Sequence, residues 1–434
     1  MSKPSAFARR PRKSRGSNHL GSVSLLHRRR IHMVGPLTNV KVLDFTWALA
    51  GPFGSMILSD LGADVRKIEP ILQTEKRRGM GPYVHDVSTY FFSVNRGKKS
   101  LIIDLKAPEA KDVIYSLVKD SDVLTENFSP GSMDRLGFGY EQLKDINPGL
   151  IYASTSGFGQ TGPYRNRGAV DIIVQAMGGL ISTTGHKGDP FPSKAGYSIG
   201  DMASGLFTAI GVLSALVERT ASGLGQHVDV SMLDSQVALM ENPMIRHLAT
   251  GEVQDRMGLR HPLNTPHQLF PAEDGWIAVA GVKDTNWQLF LGKLGLDEYV
   301  SDERFLTGPL RTQNYSELEP ILFAAFRTKT VDYWLNELQD LFLIGPVNSI
   351  ADVANDPQIN SRDMLVSLPT WTGGEIVVSN TPVKLSRTPG GAVRGASKPG
   401  EHTRELLSEV GYSKNSIDAL IDSGVIGIEP VLDN

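Results

Sequence analysis

Val40-Lys41-Val42-Leu43-Asp44-Phe45 is a short apolar run, and together with the thirty residues behind it this run decides how the chain folds. Trp47-Ala48-Leu49-Ala50-Gly51-Pro52 makes a tight turn, and a helix is expected from Phe53 to about Leu61. Asp64-Val65-Arg66-Lys67-Ile68-Glu69-Pro70 then reads as a second strand stopped by proline. Strands without polar alternation belong to a sheet covered on both faces. Strand, turn, helix and strand within about thirty residues form a βαβ unit, whose parallel strands need a right-handed crossover.

The same alternation continues outward. Strands are expected at residues 100–105, 122–128, 150–155 and 227–232, with helices at 109–119 and 141–146 between them. The fold class is therefore α/β: a Rossmann-like, doubly wound parallel sheet, followed by a smaller α/β domain opening at Gly275-Trp276-Ile277-Ala278-Val279-Ala280. Helices are expected at residues 233–250, near 287–294, 318–326 and 331–341, and at 403–410 and 413–422. Loop is expected at 262–271, strands around 364–378, and a surface excursion through the Gly-, Pro- and base-rich residues 382–399. We divide the chain into a large domain (35–225), a linker and small domain (226–345), and a C-terminal return to the large domain (346–434). In such sheets ligands bind at the carboxyl ends of the strands. A dinucleotide site is excluded by the first turn, which lacks the G-x-G-x-x-G spacing that brings backbone amides to a pyrophosphate, and no P-loop is present.

Composition narrows the function classes. Hydrophobic residues make up 40% and charged residues 21% of 434, as in ordinary globular proteins. A net charge of −3 argues against nucleic acid as a partner, and no uninterrupted apolar run suggests a membrane span. The absence of cysteine removes disulfides, thiolate metal sites and cysteine nucleophiles. Histidines, methionines and tryptophans show no metal-ligand spacing, so no metal is expected. The first 33 residues carry nine Lys or Arg and six Ser but no Asp or Glu, so residues 1–34 are expected to be a disordered basic leader. A transit-peptide-like presequence would place the protein in mitochondria. Translation from Met33, the favoured alternative, would leave it cytoplasmic; a basic nucleic-acid arm lacks the aromatic residues that would stack on bases.

One carboxylate stands out in Gly196-Tyr197-Ser198-Ile199-Gly200-Asp201-Met202-Ala203-Ser204-Gly205-Leu206. Leu206, Ile210, Leu213, Leu216 and Val217 recur at helical steps, which puts Asp201 at a helix start. Locally, an aspartate there is explained by capping as well as by chemistry.

Several segments together, in order, resemble the class III CoA-transferases, a family with formyl-CoA, carnitine and succinyl-CoA-dependent dicarboxylate transferases, and with α-methylacyl-CoA racemase as a relative. They are Val42-Leu43-Asp44-Phe45 with Ala50-Gly51-Pro52, Leu61-Gly62-Ala63-Asp64-Val65-Arg66-Lys67-Ile68-Glu69, and Asn95-Arg96-Gly97-Lys98-Lys99-Ser100. Glu126-Asn127-Phe128, Pro130-Gly131, Met133-Asp134-Arg135-Leu136-Gly137, Gly157-Phe158-Gly159-Gln160-Thr161-Gly162-Pro163, Gln175 to Gly179, Gly200-Asp201 and Gly223-x-Gly225-Gln226 complete the set, which spans about residues 35 to 425.

The resemblance implies that Asp201 is a nucleophile: it attacks an acyl-CoA carbonyl to give an aspartyl anhydride, then an aspartyl-CoA thioester from which an acceptor acid takes the CoA. By the same matching, Ala48 and Leu49, Ile103 and Lys106, Asn127 and Phe128, and Arg135 would line the coenzyme A site. Arg78, Asp171, His261 and Gln268 would face the acids, Arg78 as a bidentate partner for a second carboxylate. No tightly bound cofactor is implied, coenzyme A being a substrate, and an interlocked-ring homodimer is implied. Two departures are Pro70, where some members carry arginine, and Gly168, where formyl-type enzymes carry lysine; Arg165 or Arg167 is the candidate replacement. The stretch from His261 to Phe270 is closer to members that use larger acids, which turns the expectation from formyl and oxalyl transfer toward longer dicarboxylates. The racemase alternative is disfavoured because Val170 stands where the racemase has its proton-transferring histidine. A non-catalytic CoA-binding subunit is the third alternative.

Overall fold

The computed structural model describes residues 35–71, 74–261 and 263–428, so the leader and Met33 lie outside the described residues. Its large sheet has seven strands in the order Ile426–Gly427, Lys99–Ile103, Asp64–Pro70, Lys41–Asp44, Val123–Glu126, Ile151–Ser156 and His227–Ser231. All neighbours are parallel except Ile426–Gly427, which runs antiparallel beside Lys99–Ile103. Counting this sheet's strands along the chain, the six parallel ones stand third, second, first, fourth, fifth and sixth, the doubly wound order whose direction switches beside the first strand.

The period-two geometry of a strand splits the apolar runs between the two faces. Leu43 and Phe45 join one core with Leu101, Leu124, Val113 and Leu117, whereas Val42 joins the other with Val65, Val123, Ala209 and Val212. Over that second face lie the helices Ala50–Asp60 and Ile199–Ser222. They touch through glycine: a Cβ on Gly205 would stand 2.7 Å from the Ala50 carbonyl oxygen, and one on Gly54 would stand 2.9 Å from the Gly205 oxygen. Backbone approach this close is available to glycine alone. Among the described residues, Ile199–Ser222 is long and apolar enough to cross a membrane, but its small residues Ala203, Ala209, Val212 and Ala215 are buried against the sheet.

The smaller unit is an antiparallel sheet, Gln268–Pro271, Trp276–Ala280 and Leu343–Pro346, covered by the helices Trp287–Leu294, Tyr315–Phe326 and Val331–Leu338. It has its own core around Phe270, Phe290, Phe326 and Trp334.

Three expectations need correction, and one strand was not foreseen. The helix expected at 233–250 is two, Met232–Leu239 and Glu241–Thr250, because Pro243 has no N–H to offer the Leu239 carbonyl. Residues 262–271 end in the strand Gln268–Pro271, hidden by a proline at its edge. The excursion at 382–399 turns inward halfway: Gly391 N–H donates to the Asp60 carbonyl at 2.6 Å, and Ala392, Ala396 and Ser397 are buried. The two-residue strand Ile426–Gly427 carries too little pattern to be seen in sequence.

Candidate active site

Asp201 is the third residue of the helix Ile199–Ser222 and is half-buried. Its carboxylate takes no helix N–H among the described hydrogen bonds; the Gly200 N–H instead donates to Asp171 Oδ1 at 2.8 Å. Asp171 therefore does the capping that local sequence allowed for Asp201. Its other oxygen accepts from Gln175 Nε2 at 2.6 Å, and Gln175 Oε1 accepts the Ala195 N–H at 3.0 Å. Gln175 is fully buried, so this chain of bonds holds the Asp201 turn from below. A side chain at position 200 would collide with it, since a Cβ there would lie 2.6 Å from Val174 Cγ2 and 3.0 Å from Asp171 Oδ1.

What remains is a carboxylate without a partner among the described residues. Burial pushes the Asp201 carboxyl up to about 6, and the negative charge of Asp171 adds to the shift. Such a group is ionised at neutral pH yet poorly solvated, which favours nucleophilic use.

At the switch point the turn after the first strand is clamped to the fourth. Trp47 N–H donates to Asn127 Oδ1 at 2.9 Å, and Asn127 Nδ2 donates to the Trp47 carbonyl at 2.8 Å. Ala48 sits at φ +62°, a left-handed conformation uncommon for alanine, which this clamp enforces. Beneath it lies a buried charge cluster. Asp44 accepts from Lys98 Nζ at 2.9 Å and from Ser55 Oγ at 2.8 Å, and Lys67 Nζ donates to the Thr46 carbonyl at 2.6 Å. Burial alone would raise the Asp44 carboxyl, but Lys98 and Lys67 hold it well below the usual range; burial pushes Lys98 down to about 7 against the pull of Asp44.

A narrow pocket opens beside this turn, lined by Trp47, Ala48, Lys67, Arg77, Tyr90 and Asn95 among others. Tyr90 links it to Asp201: burial, and after it the charge of Asp201, raise the Tyr90 phenol above its ordinary value.

The other expected residues fall in several places. Asn127 and Ala48 meet at the switch point, with Leu49 as the residue before the helix Ala50–Asp60 and Phe128 half-buried against the core. Lys106 and Arg135 are exposed, the latter donating from Nη2 to Ser132 Oγ at 2.9 Å. Ile103 is fully buried and pairs with Ile426, so it has no surface to present to an adenine, and its expected contact is withdrawn. Arg78 is also buried and committed: Nε donates to Glu69 Oε2 and Nη1 to the Ser397 carbonyl, both at 2.8 Å, and the guanidinium stacks 4.2 Å from the centre of the Phe91 ring. It is a structural ion pair here rather than a free clamp for a substrate carboxylate. Arg167 stacks 4.7 Å from the Tyr164 ring centre, and nothing lies within 4 Å of a Cβ placed on Gly168.

His261 and Gln268 line a cavity of about 520 Å³ in the smaller unit, whose walls contain none of the residues around Asp201. The His261 ring stacks on His267 at 4.8 Å, and the buried Gln268 Nε2 has no hydrogen-bond partner among the described residues. Tyr90, Gln175 and Lys98 took no role in the sequence-based site. Gln175 was detectable from its i, i+4 spacing to Asp171 at a helix start. Tyr90 was hidden in Tyr90-Phe91-Phe92, which reads as plain core.

The sequence pattern of CoA-transferase family III matches residues 37–403. Acetyl-CoA:oxalate CoA-transferase of Acetobacter aceti is 40% identical over 81% of this chain and 90% of its own length. Succinyl-CoA:glutarate CoA-transferase of Mus musculus is 35% identical over 90% of each chain. Among solved structures, a CAIB/BAIF family protein from Brucella suis superposes with a TM-score of 0.79 at 35% identity, covering 87% of this chain and 100% of that one.

Proposed function

The chain belongs to CoA-transferase family III and is a transferase, and from that premise we propose that it moves coenzyme A from an acyl-CoA such as succinyl-CoA to a dicarboxylic acid through covalent intermediates on Asp201. The observation that carries this is the unpartnered, half-buried Asp201 carboxylate in a turn held by Asp171 and Gln175.

The ionised Asp201 oxygen attacks the donor's thioester carbonyl, the C–S bond breaks, and CoA leaves as thiolate, giving an aspartyl anhydride. The thiolate returns to the aspartyl carbonyl, forming an aspartyl-CoA thioester and releasing the donor's acid as carboxylate. The acceptor carboxylate attacks that thioester, thiolate leaves again, and its last attack falls on the acceptor's own carbonyl, restoring Asp201. Every step exchanges one acyl bond for another, so no net proton or electron is required. Helix-start placement stabilises the negative charge that passes through the aspartyl carbonyl. The strand-end turn at Trp47 to Leu49 and the Asn127 clamp supply the surface along which coenzyme A would reach Asp201.

The test mixes the protein with succinyl-CoA and a panel of acids, oxalate, succinate, glutarate and acetate among them, and monitors new acyl-CoA. Transfer to a dicarboxylate, with a loss on the order of 10³-fold or more in Asp201→Ala, is expected. Full activity in Asp201→Ala contradicts the mechanism.

A further inference from the structure

The pocket beside the Trp47 turn is lined by two cations, Lys67 and Arg77, and by one carboxylate, Glu69, and a further set of charges lies behind it. Lys67, Arg77, Arg78 and Lys98 stand against the carboxylates of Asp44 and Glu69. Arg78 is used by Glu69 and Lys98 by Asp44. Lys67 gives one of its three N–H groups to the Thr46 carbonyl and lies 4.0 Å from Asp44, already neutralised by Lys98. Arg77 makes no hydrogen bond or ion pair among the described residues; it is exposed at the pocket mouth with its guanidinium 5.3 Å from the Trp47 ring centre. That stacking fixes a planar fork of donors while leaving its edge open.

We propose that Arg77, together with Lys67 and the Tyr90 hydroxyl, seats the second carboxylate of a dicarboxylic acid whose first carboxylate reacts at Asp201. This rests on the transferase function proposed above and names the specificity element of its acid site. Three observations converge on it. The space is narrow, about 20 Å³, which excludes a group as large as a nucleotide. Tyr90 lines the pocket, and the charge of Asp201 helps to raise its phenol, so the seat lies on the Asp201 side of the turn. A second carboxylate brought toward an ionised Asp201 needs a cation of its own, and among the described residues of the pocket Arg77 is the unpaired one; a guanidinium meets a carboxylate through two parallel hydrogen bonds. Arg78, one residue on, offers no such edge, because its donors already face Glu69 and Ser397.

Calorimetric titration of the full chain with succinate, glutarate and acetate, with and without saturating coenzyme A, tests the assignment in the wild type, Arg77→Ala and Arg77→Lys. Arg77→Ala is expected to weaken succinate and glutarate at least about tenfold, leave acetate unchanged and lose the discrimination between them, with Arg77→Lys recovering part of it. Unchanged dicarboxylate affinity in Arg77→Ala, or equal weakening of acetate, overturns the proposal. So does a variant whose KM rises for succinyl-CoA but not for a succinyl-pantetheine thioester, since the bound anion would then be a phosphate of coenzyme A. The two proposals fail separately: Arg77-dependent succinate binding in a protein that moves no CoA sinks the transferase function alone, and transfer confined to monocarboxylic acids sinks the dicarboxylate seat alone.

Discussion

At the scale of single residues, Asp171 and Asp201 divide the labour of two carboxylates. Asp171 is bound on both oxygens and shapes the turn; Asp201 is bound on neither among the described hydrogen bonds and is the nucleophile proposed above. Because burial and Asp171 raise the Asp201 carboxyl to about 6, and because the proposed attack requires the ionised form, activity is expected to be lost as pH falls through that value. The acid limb of kcat/KM is expected near pH 6, with activity roughly tenfold lower one pH unit below it. In Asp171→Asn the like charge is gone, so the limb should move toward the ordinary carboxylate range even as the broken Gln175 bond lowers the maximum rate. A limb that stays in place would show that Asp171 does not act on Asp201 through its charge. Little of this was legible in the sequence. Position told that Asp201 opens a helix, but capping and nucleophilic roles put the same residue type at the same place, and it takes the bond from Gly200 to Asp171 to show that another carboxylate does the capping.

At the scale of elements, the sequence was most readable where burial enforces pattern. The expected strand at 64–70 coincides with Asp64–Pro70, and the strands near 41, 123, 151 and 227 shift by a residue or two, since continuous apolar runs between turn residues have few other uses in a parallel sheet. Legibility failed where pattern is short or interrupted, as at Pro243 and Ile426–Gly427. It also failed for the inward half of residues 382–399, whose Gly and Pro content describes an irregular backbone but not whether that backbone is buried. One contact between elements sets where Asp201 stands: the helix carrying it lies against Ala50–Asp60 through Gly54 and Gly205. Gly205→Ala would press a methyl to 2.7 Å from a backbone oxygen that cannot move away cheaply. It is expected to cost ~1–3 kcal/mol, read as a lower urea midpoint at unchanged m-value. An unaltered midpoint would mean that the two helices do not approach as closely as described.

At the scale of the whole molecule, the parallel strands end on one edge of the sheet and the helix that carries Asp201 packs against Ala50–Asp60 beside it, so pieces scattered from Val42 to Asp201 form the candidate site. Resemblance points to that edge, but not every residue it names has a side chain free to serve there. Ile103 proved to be core and Arg78 an ion pair, because a matched position fixes where a residue lies along the chain and not which neighbour has already claimed its side chain. The unspent arginine was its neighbour Arg77, a distinction that requires knowing which of two adjacent guanidinium groups faces Glu69. The central claim, a covalent acyl carrier on Asp201, is tested most directly by incubating the protein with succinyl-CoA alone, quenching with hydroxylamine and mapping the modified peptide by mass spectrometry. The expected result is a hydroxamate on Asp201 that is absent from Asp201→Asn; CoA transfer proceeding with no modification there, or with the label on another residue, would contradict it.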